Sequence, residues 1–193
     1  MPLQNRVLPT GEIVADQGRG LFTGNRGCLH DDQKRLGRAR WKGKAWIICA
    51  LEFKGWRRQV MTPGTWTELF FLDEAVALAA GHRPCALCRR AAYDAYRQAW
   101  GGRPKAVAMD AALHVARLGP RVRADCEGLP EGAFIRVRGA SWLLRGAMMQ
   151  PFSPAGYGEP EPRITGEVEV LTPGPSLAVL AAGYRPVLHG TAE

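Results

Sequence analysis

The sequence carries two thiols three residues apart, in Pro84-Cys85-Ala86-Leu87-Cys88. Two thiolates at that spacing can grip one tetrahedral metal ion without straining the turn between them. A closed structural zinc site needs four ligands, so two more must come from elsewhere in the chain. The segment Gly27-Cys28-Leu29-His30-Asp31 offers a thiol and an imidazole in one short loop, with Asp31 available to orient His30. The expected ligand set is therefore Cys28, His30, Cys85 and Cys88, holding Zn2+. Cys49 is the alternative third thiolate, but it lies in an apolar stretch where a free cysteine is more often a small buried hydrophobe. His82 is a weaker option, and Cys126 lies in the other half of the chain.

The elements that must position these residues can be read from periodicity and punctuation. Residues 46–53 and 66–72 are rich in β-branched and aromatic side chains and read as strands. Asp73 then reads as an N-cap and Gly81 as a C-terminal stop for a helix of about two turns. Pro84 stiffens the approach to Cys85, and a helix follows the cysteine pair over 89–100. Its stripe is expected to comprise Ala92, Ala95, Tyr96 and Ala99. A third helix spans 106–118, on which Asp110 and His114 share a face; an ion pair on the surface is the expected relation between them. Residues 1–40 read as a loop-rich arm with one or two short strands. From 125 onward strands dominate, at 133–138, 141–145 and 167–171, with a last helix over 176–182.

Two phrases recur. Leu180-Ala181-Ala182-Gly183-Tyr184-Arg185-Pro186-Val187 echoes Leu78-Ala79-Ala80-Gly81-His82-Arg83-Pro84-Cys85. Gly139-Ala140-Ser141-Trp142-Leu143-Leu144 echoes Gly43-Lys44-Ala45-Trp46-Ile47-Ile48. The order is kept, so a degenerate repeat of two strand–strand–helix units is expected. Val187 stands for Cys85 and Arg145 for Cys49, which confines the metal to the first unit. The expected fold class is α+β, with a zinc-anchored unit over 1–120 and a smaller β-rich unit over 121–193.

The chain of 193 residues has 26 basic and 18 acidic side chains and a formal charge of +8. That balance suits a polyanion, most often nucleic acid, with DNA favoured over RNA. Arg83, Arg89 and Arg90 flank the cysteine pair, and Trp56, Arg57 and Arg58 form a basic–aromatic group; these six are the expected nucleic-acid contacts. A further basic run, Lys34 to Lys44, has Trp41 interleaved. There is no apolar leader after Met1 and no run long enough to span a bilayer, so a cytoplasmic protein is expected. A reducing compartment favours metal over disulfide for the five cysteines. P-loop, nucleophile-elbow and dinucleotide signatures are absent from the sequence.

The phrase Phe70-Phe71, then a short helix, then Ala79-Ala80-Gly81-His82-Arg83-Pro84-Cys85-Ala86-Leu87-Cys88-Arg89 resembles the metal-binding domain of the Ada DNA-repair proteins. The likeness covers 66–90 and weakens back to Trp46. It implies a small zinc domain with four cysteine ligands that contacts the DNA backbone, one zinc-bound cysteine accepting a methyl group from a phosphotriester. Cys85 and Cys88 match the family's second cysteine pair, and Cys49 corresponds to the methyl acceptor. Phe53 stands four residues after Cys49, where the family has its other cysteine. A replacement of the first pair by Cys28 and His30 would keep the metal and lose the nucleophile.

Three functions follow as expectations. The first is a zinc-stabilised nucleic-acid-binding protein, acting in DNA repair. The second is a zinc enzyme on nucleic acid, removing a methyl group from a phosphotriester or hydrolysing a phosphodiester with His30, Asp31 and His114. The third is a zinc-stapled protein-interaction module.

Overall fold

The computed structural model describes residues 1–55 and 59–192. Strands β1 (Gln4–Val7), β2 (Ile13–Ala15), β3 (Phe22–Asn25), β4 (Ile47–Ala50) and β5 (Leu69–Phe71) precede helix α1 (Glu74–Ala79). Strand β6 (Arg83–Pro84) and helices α2 (Arg90–Trp100) and α3 (Ala106–Leu118) follow. The remainder holds β7 (Val122–Asp125), β8 (Phe134–Val137), β9 (Ala140–Arg145), β10 (Met148–Ser153), β11 (Gly156–Tyr157), β12 (Glu161–Pro162), β13 (Glu167–Val170) and α4 (Gly174–Ala181). The class is α+β, as the sequence implies. Among the described residues no helix is long and apolar enough to cross a membrane.

One sheet runs β2-β1-β5-β3-β4-β6, with β1–β5 and β4–β6 parallel and the other neighbours antiparallel. The second runs β11-β10-β9-β8-β13-β7 with β12 also on β10, and its pairings are antiparallel. The same three-strand pattern occurs in each. β3 pairs with β4 on one side and β5 on the other, and a helix follows; β8 pairs with β9 and β13, and a helix follows. Both helices end alike: Gly81 donates its N–H to Leu78 and Gly183 to Leu180, at φ of +86° and +97°. A side chain at Gly81 would also meet Arg117, at 2.8 Å. The echo in sequence thus coincides with an echo in topology.

The two units differ in their connections. In the second, β8 turns into β9 through Arg138-Gly139 alone, both at positive φ as a tight I′ hairpin turn requires. In the first, β3 and β4 are joined by residues 26–46, which hold the basic run and both Trp41 and Trp46.

Helix α1 is buried along its whole length. Ala75, Val76 and Ala79 pack with Phe134, Leu143, Tyr157 and Leu171 of the second half. Ala77 and Leu78 join the core that contains Ile48, Leu69 and Phe71. A helix apolar all round must be enclosed, and here both sheets enclose it. Its start is fixed by buried polar groups. Asp73 Oδ1 accepts from Val76 N–H at 2.9 Å as the expected N-cap, and Oδ2 accepts from the Tyr157 hydroxyl at 2.7 Å. Glu74 accepts from Arg89 and the Tyr184 hydroxyl, each at 2.7 Å, and from Val187 N–H at 3.0 Å.

Helix α2 buries Tyr93 and Tyr96 rather than an alanine stripe; Ala95 is exposed. The large rings take the core because they remove more apolar surface from water than alanine can.

Candidate metal centre

Period-two alternation gives the first sheet two unlike faces. Ile48, Leu69 and Phe71 are fully buried on the core face. Their neighbours Cys49, Glu68 and Phe70 line a cavity of about 390 Å³ on the other face, with Thr23 and Asn25 of β3. Cross-strand register sets Phe70, Thr23 and Cys49 in one row. Phe53, Val60 and Trp66 add further walls, while Leu51 and Leu87 lie exposed at 49% and 59%.

The parallel pairing of β4 with β6 then delivers the cysteines. Ile47 lies opposite Arg83 and Ile48 opposite Pro84, and Cys85 N–H donates to the Ile48 carbonyl at 2.9 Å. Cys49 and Cys85 therefore leave adjacent strands at the same level. The turn after Cys85 brings Cys88 back, so the Sγ atoms of Cys49, Cys85 and Cys88 lie within 4.8 Å of one another. Zinc–sulfur bonds of ~2.3 Å in a tetrahedron place sulfurs ~3.8 Å apart, so small side-chain adjustments suffice to hold an ion.

Electrostatics divide the three thiols, favouring the thiolate at Cys85 alone. The close Cys49 thiol lowers the Cys85 pKa most, and the Leu87 N–H, which donates to Cys85 Sγ at 3.4 Å, lowers it further, against burial. Cys49 is pushed upward by its hydrogen bond with Cys85 and by burial, and Cys88 is raised by burial. Three thiols this close share protons, and a divalent cation that displaces those protons relieves the crowding of negative charge. The three cysteines fit a thiophilic ion and would supply three of the four ligands of a tetrahedral site.

Cys28 and His30 do not belong to this cluster. The Thr67 hydroxyl accepts from Leu29 N–H at 2.8 Å and lies 2.6 Å from His30 Nδ1. His30 Nε2 is 3.2 Å from the Thr62 carbonyl, which can only accept, so Nε2 carries the proton and Nδ1 accepts from Thr67. Both ring nitrogens are thus occupied in tying the 26–46 connection to residues 62–67. Cys28 Sγ contacts the His30 carbonyl at 3.8 Å. His82 is fully buried and accepts from Arg26 Nε at 3.2 Å. The third thiol of the structure is Cys49, the alternative that its apolar surroundings had argued against.

The expected phosphate contacts separate. Arg83 is 5% exposed and makes a bidentate pair with Asp110, both bonds at 2.8 Å. Arg89 is held at 2.7 Å by Glu74, and its side chain is only 8% exposed. Both serve the fold, contrary to the expectation that they contact phosphate, because each has a buried carboxylate partner. Arg90 is exposed; it pairs with Asp94, one helical turn away, at 2.8 Å and lies over the Tyr93 ring. Trp56, Arg57 and Arg58 lie outside the described residues. Asp110 is committed to Arg83 rather than to His114, whose Nδ1 is 3.0 Å from Arg117. The hydrolytic trio of His30, Asp31 and His114 does not assemble: the metal-ligand cluster of the described residues is made of cysteines alone.

Arg38, Arg40, Lys42 and Lys44 are exposed on the 26–46 connection, and none forms an ion pair among the described residues. Trp41 in their midst is 38% exposed.

No protein-family model, curated protein or solved structure matches this chain.

Proposed function

We propose that this chain is a zinc–thiolate protein that binds nucleic acid, with DNA as the favoured partner. The observation that carries the metal part is the gathering of the Cys49, Cys85 and Cys88 sulfurs within 4.8 Å. Thiolate-only donors select a soft or borderline ion, and zinc is the common redox-inert one. Such an ion would keep the three sulfurs deprotonated and lock β4, β6 and the turn into α2 together. The partner is inferred from the +8 charge and from the exposed basic connection with Trp41. Lysine and arginine there neutralise phosphates, and an exposed indole can stack on an unpaired base.

The test is the salt dependence of binding to short DNA duplexes and single strands. Affinity is expected to fall steeply between 50 and 200 mM salt, as phosphate contacts require. Changing Arg38, Arg40 and Lys42 together to alanine should reduce the slope of log K against log salt by roughly 2–3. Binding that ignores salt, or a slope unchanged in the triple variant, would overturn the nucleic-acid assignment.

A second reading is favoured by one observation: Cys49, the residue matching the methyl acceptor in the family resemblance, lines a cavity rather than packing in the core. In this reading Cys49 Sγ attacks the methyl carbon of a DNA phosphotriester. The sulfur–carbon bond forms as the carbon–oxygen bond breaks, and a phosphodiester anion leaves. Gain of one methyl mass on the peptide containing Cys49, after incubation with methylated DNA, supports this reading. An unmodified Cys49 rejects it while leaving the binding assignment in place.

A further inference from the structure

At the other end of the same strands, and on the core side of the first sheet, lies a second cavity of about 430 Å³ that contains no cysteine. Arg26, Arg40, Arg117 and Arg121 all line it, with Trp41 and Trp46. Trp46 precedes Cys49 by three residues, which places the two sites ~10 Å apart along the strand.

Arg26 is the unusual residue. It is 1% exposed, yet it forms no ion pair among the described residues. Its Nε donates to His82 at 3.2 Å and its Nη1 to the Gly11 carbonyl at 2.9 Å, while Nη2 is buried without a hydrogen-bond partner. Burial, then the nearby Arg117, lower its pKa to about 9. Arg117 lies over the Trp46 ring at 3.8 Å and Arg26 at 3.9 Å, so two guanidiniums approach one indole. Arg117 donates to the Gly81 and Lys44 carbonyls, and Arg121 to the Thr10 carbonyl at 2.8 Å. These arginines meet carbonyls, imidazole nitrogens and the Trp46 ring, not carboxylates. The cavity's own carboxylate is Glu12, which is exposed and accepts from the Thr10 hydroxyl.

A buried guanidinium with a vacant donor is destabilising unless an anion completes it. We propose that this cavity binds a phosphoryl group, with Arg26 Nη2 and Arg121 as its principal donors. Four guanidiniums against one carboxylate suit a dianionic phosphate monoester better than a single carboxylate, and arginine's fork matches phosphate oxygens. The exposed Trp41 on the same wall offers a ring face to an attached base. The phosphoryl group could belong to a free mononucleotide or to the 5′ end of a strand.

The metal-loaded full chain should be titrated with inorganic phosphate, with AMP, and with one short oligonucleotide bearing either a 5′ phosphate or a 5′ hydroxyl. Ionic strength is matched throughout with chloride. The melting temperature is expected to rise with phosphate beyond the chloride control. Arg26→Met and, as the milder change, Arg121→Gln should each weaken phosphate binding at least tenfold. A gain from AMP over inorganic phosphate assigns a nucleotide; a preference for the 5′-phosphorylated oligonucleotide over its hydroxyl form assigns a strand end. A phosphate response no larger than that of chloride, or one that survives unchanged in Arg121→Gln, overturns the proposal. Either result is independent of zinc content, so it leaves the metal assignment untouched.

Discussion

Replacing Glu74 with alanine is expected to cost about 3–5 kcal/mol of folding stability, read from urea unfolding at neutral pH. The change removes three contacts at once. Arg89 loses its partner at 2.7 Å, with its side chain only 8% exposed. The Tyr184 hydroxyl and the Val187 N–H lose their acceptors as well. The penalty is mainly that of a buried charge left alone, so Glu74→Gln should recover only part of it: the amide oxygen can accept hydrogen bonds, but the charge on Arg89 remains unmatched. Arg89 directly follows Cys88, and Glu74 thus also fixes the turn that presents the cysteine pair. A weaker hold on metal in the Glu74→Ala protein is the expected second effect. A stability loss under about 1 kcal/mol would show that the pair contributes little beyond a surface ion pair.

Stripping the metal with a chelator is expected to lower the melting temperature by roughly 10 °C. A ligand held at a thousand times its dissociation constant adds about 4 kcal/mol, and a chain of this size shifts by about 2–4 °C per kcal/mol. The protein should nonetheless remain folded, because neither apolar cluster includes Cys49, Cys85 or Cys88 and helix α1 is buried within them. That distinguishes it from a small zinc finger, which has no other core. Cys85→Ser should melt near the chelated wild type and show no further response to chelator. Equal melting temperatures with and without chelator would mean that no ion braces β4 against β6.

Local features of this fold are legible in the sequence because they depend on near neighbours. Asp73 announces α1 and does cap it; Gly81 announces its end and does adopt positive φ. The cysteine pair, the helices over 90–100 and 106–118, and the strands around Cys49, Phe70, Ile135 and Leu143 follow from composition and periodicity. The repeated phrases lead to the shared three-strand pattern, since a turn motif and a strand motif kept in order constrain topology.

What was hidden depends on distant pairing. Cys49 looks like a core residue because Ile47 and Ile48 precede it, yet only alternate residues of β4 face the core. That it meets Cys85 depends on a parallel match with a strand of two residues, which no local signal marks. His30 looks like a ligand because of its spacing from Cys28, but Thr67 and Thr62 occupy both of its nitrogens from more than thirty residues away. Arg83 and Arg89 look like phosphate contacts because they sit beside the cysteine pair. Their partners Asp110 and Glu74 are 27 and 15 residues distant, and the burial that makes those pairs structural is a tertiary property. Arg26 gave no signal at all, since a lone arginine after a short strand is unremarkable until its surroundings close over it.

The most direct test of the account is zinc content per chain, measured by mass spectrometry on protein purified under reducing conditions. The wild type, Cys28→Ser and His30→Ala should each carry about one zinc, while Cys49→Ser and Cys85→Ser should fall well below it, as loss of one of three thiolates implies. Full zinc in Cys49→Ser together with loss in Cys28→Ser, or no zinc in the wild type, would contradict the three-cysteine centre on which the proposed function rests.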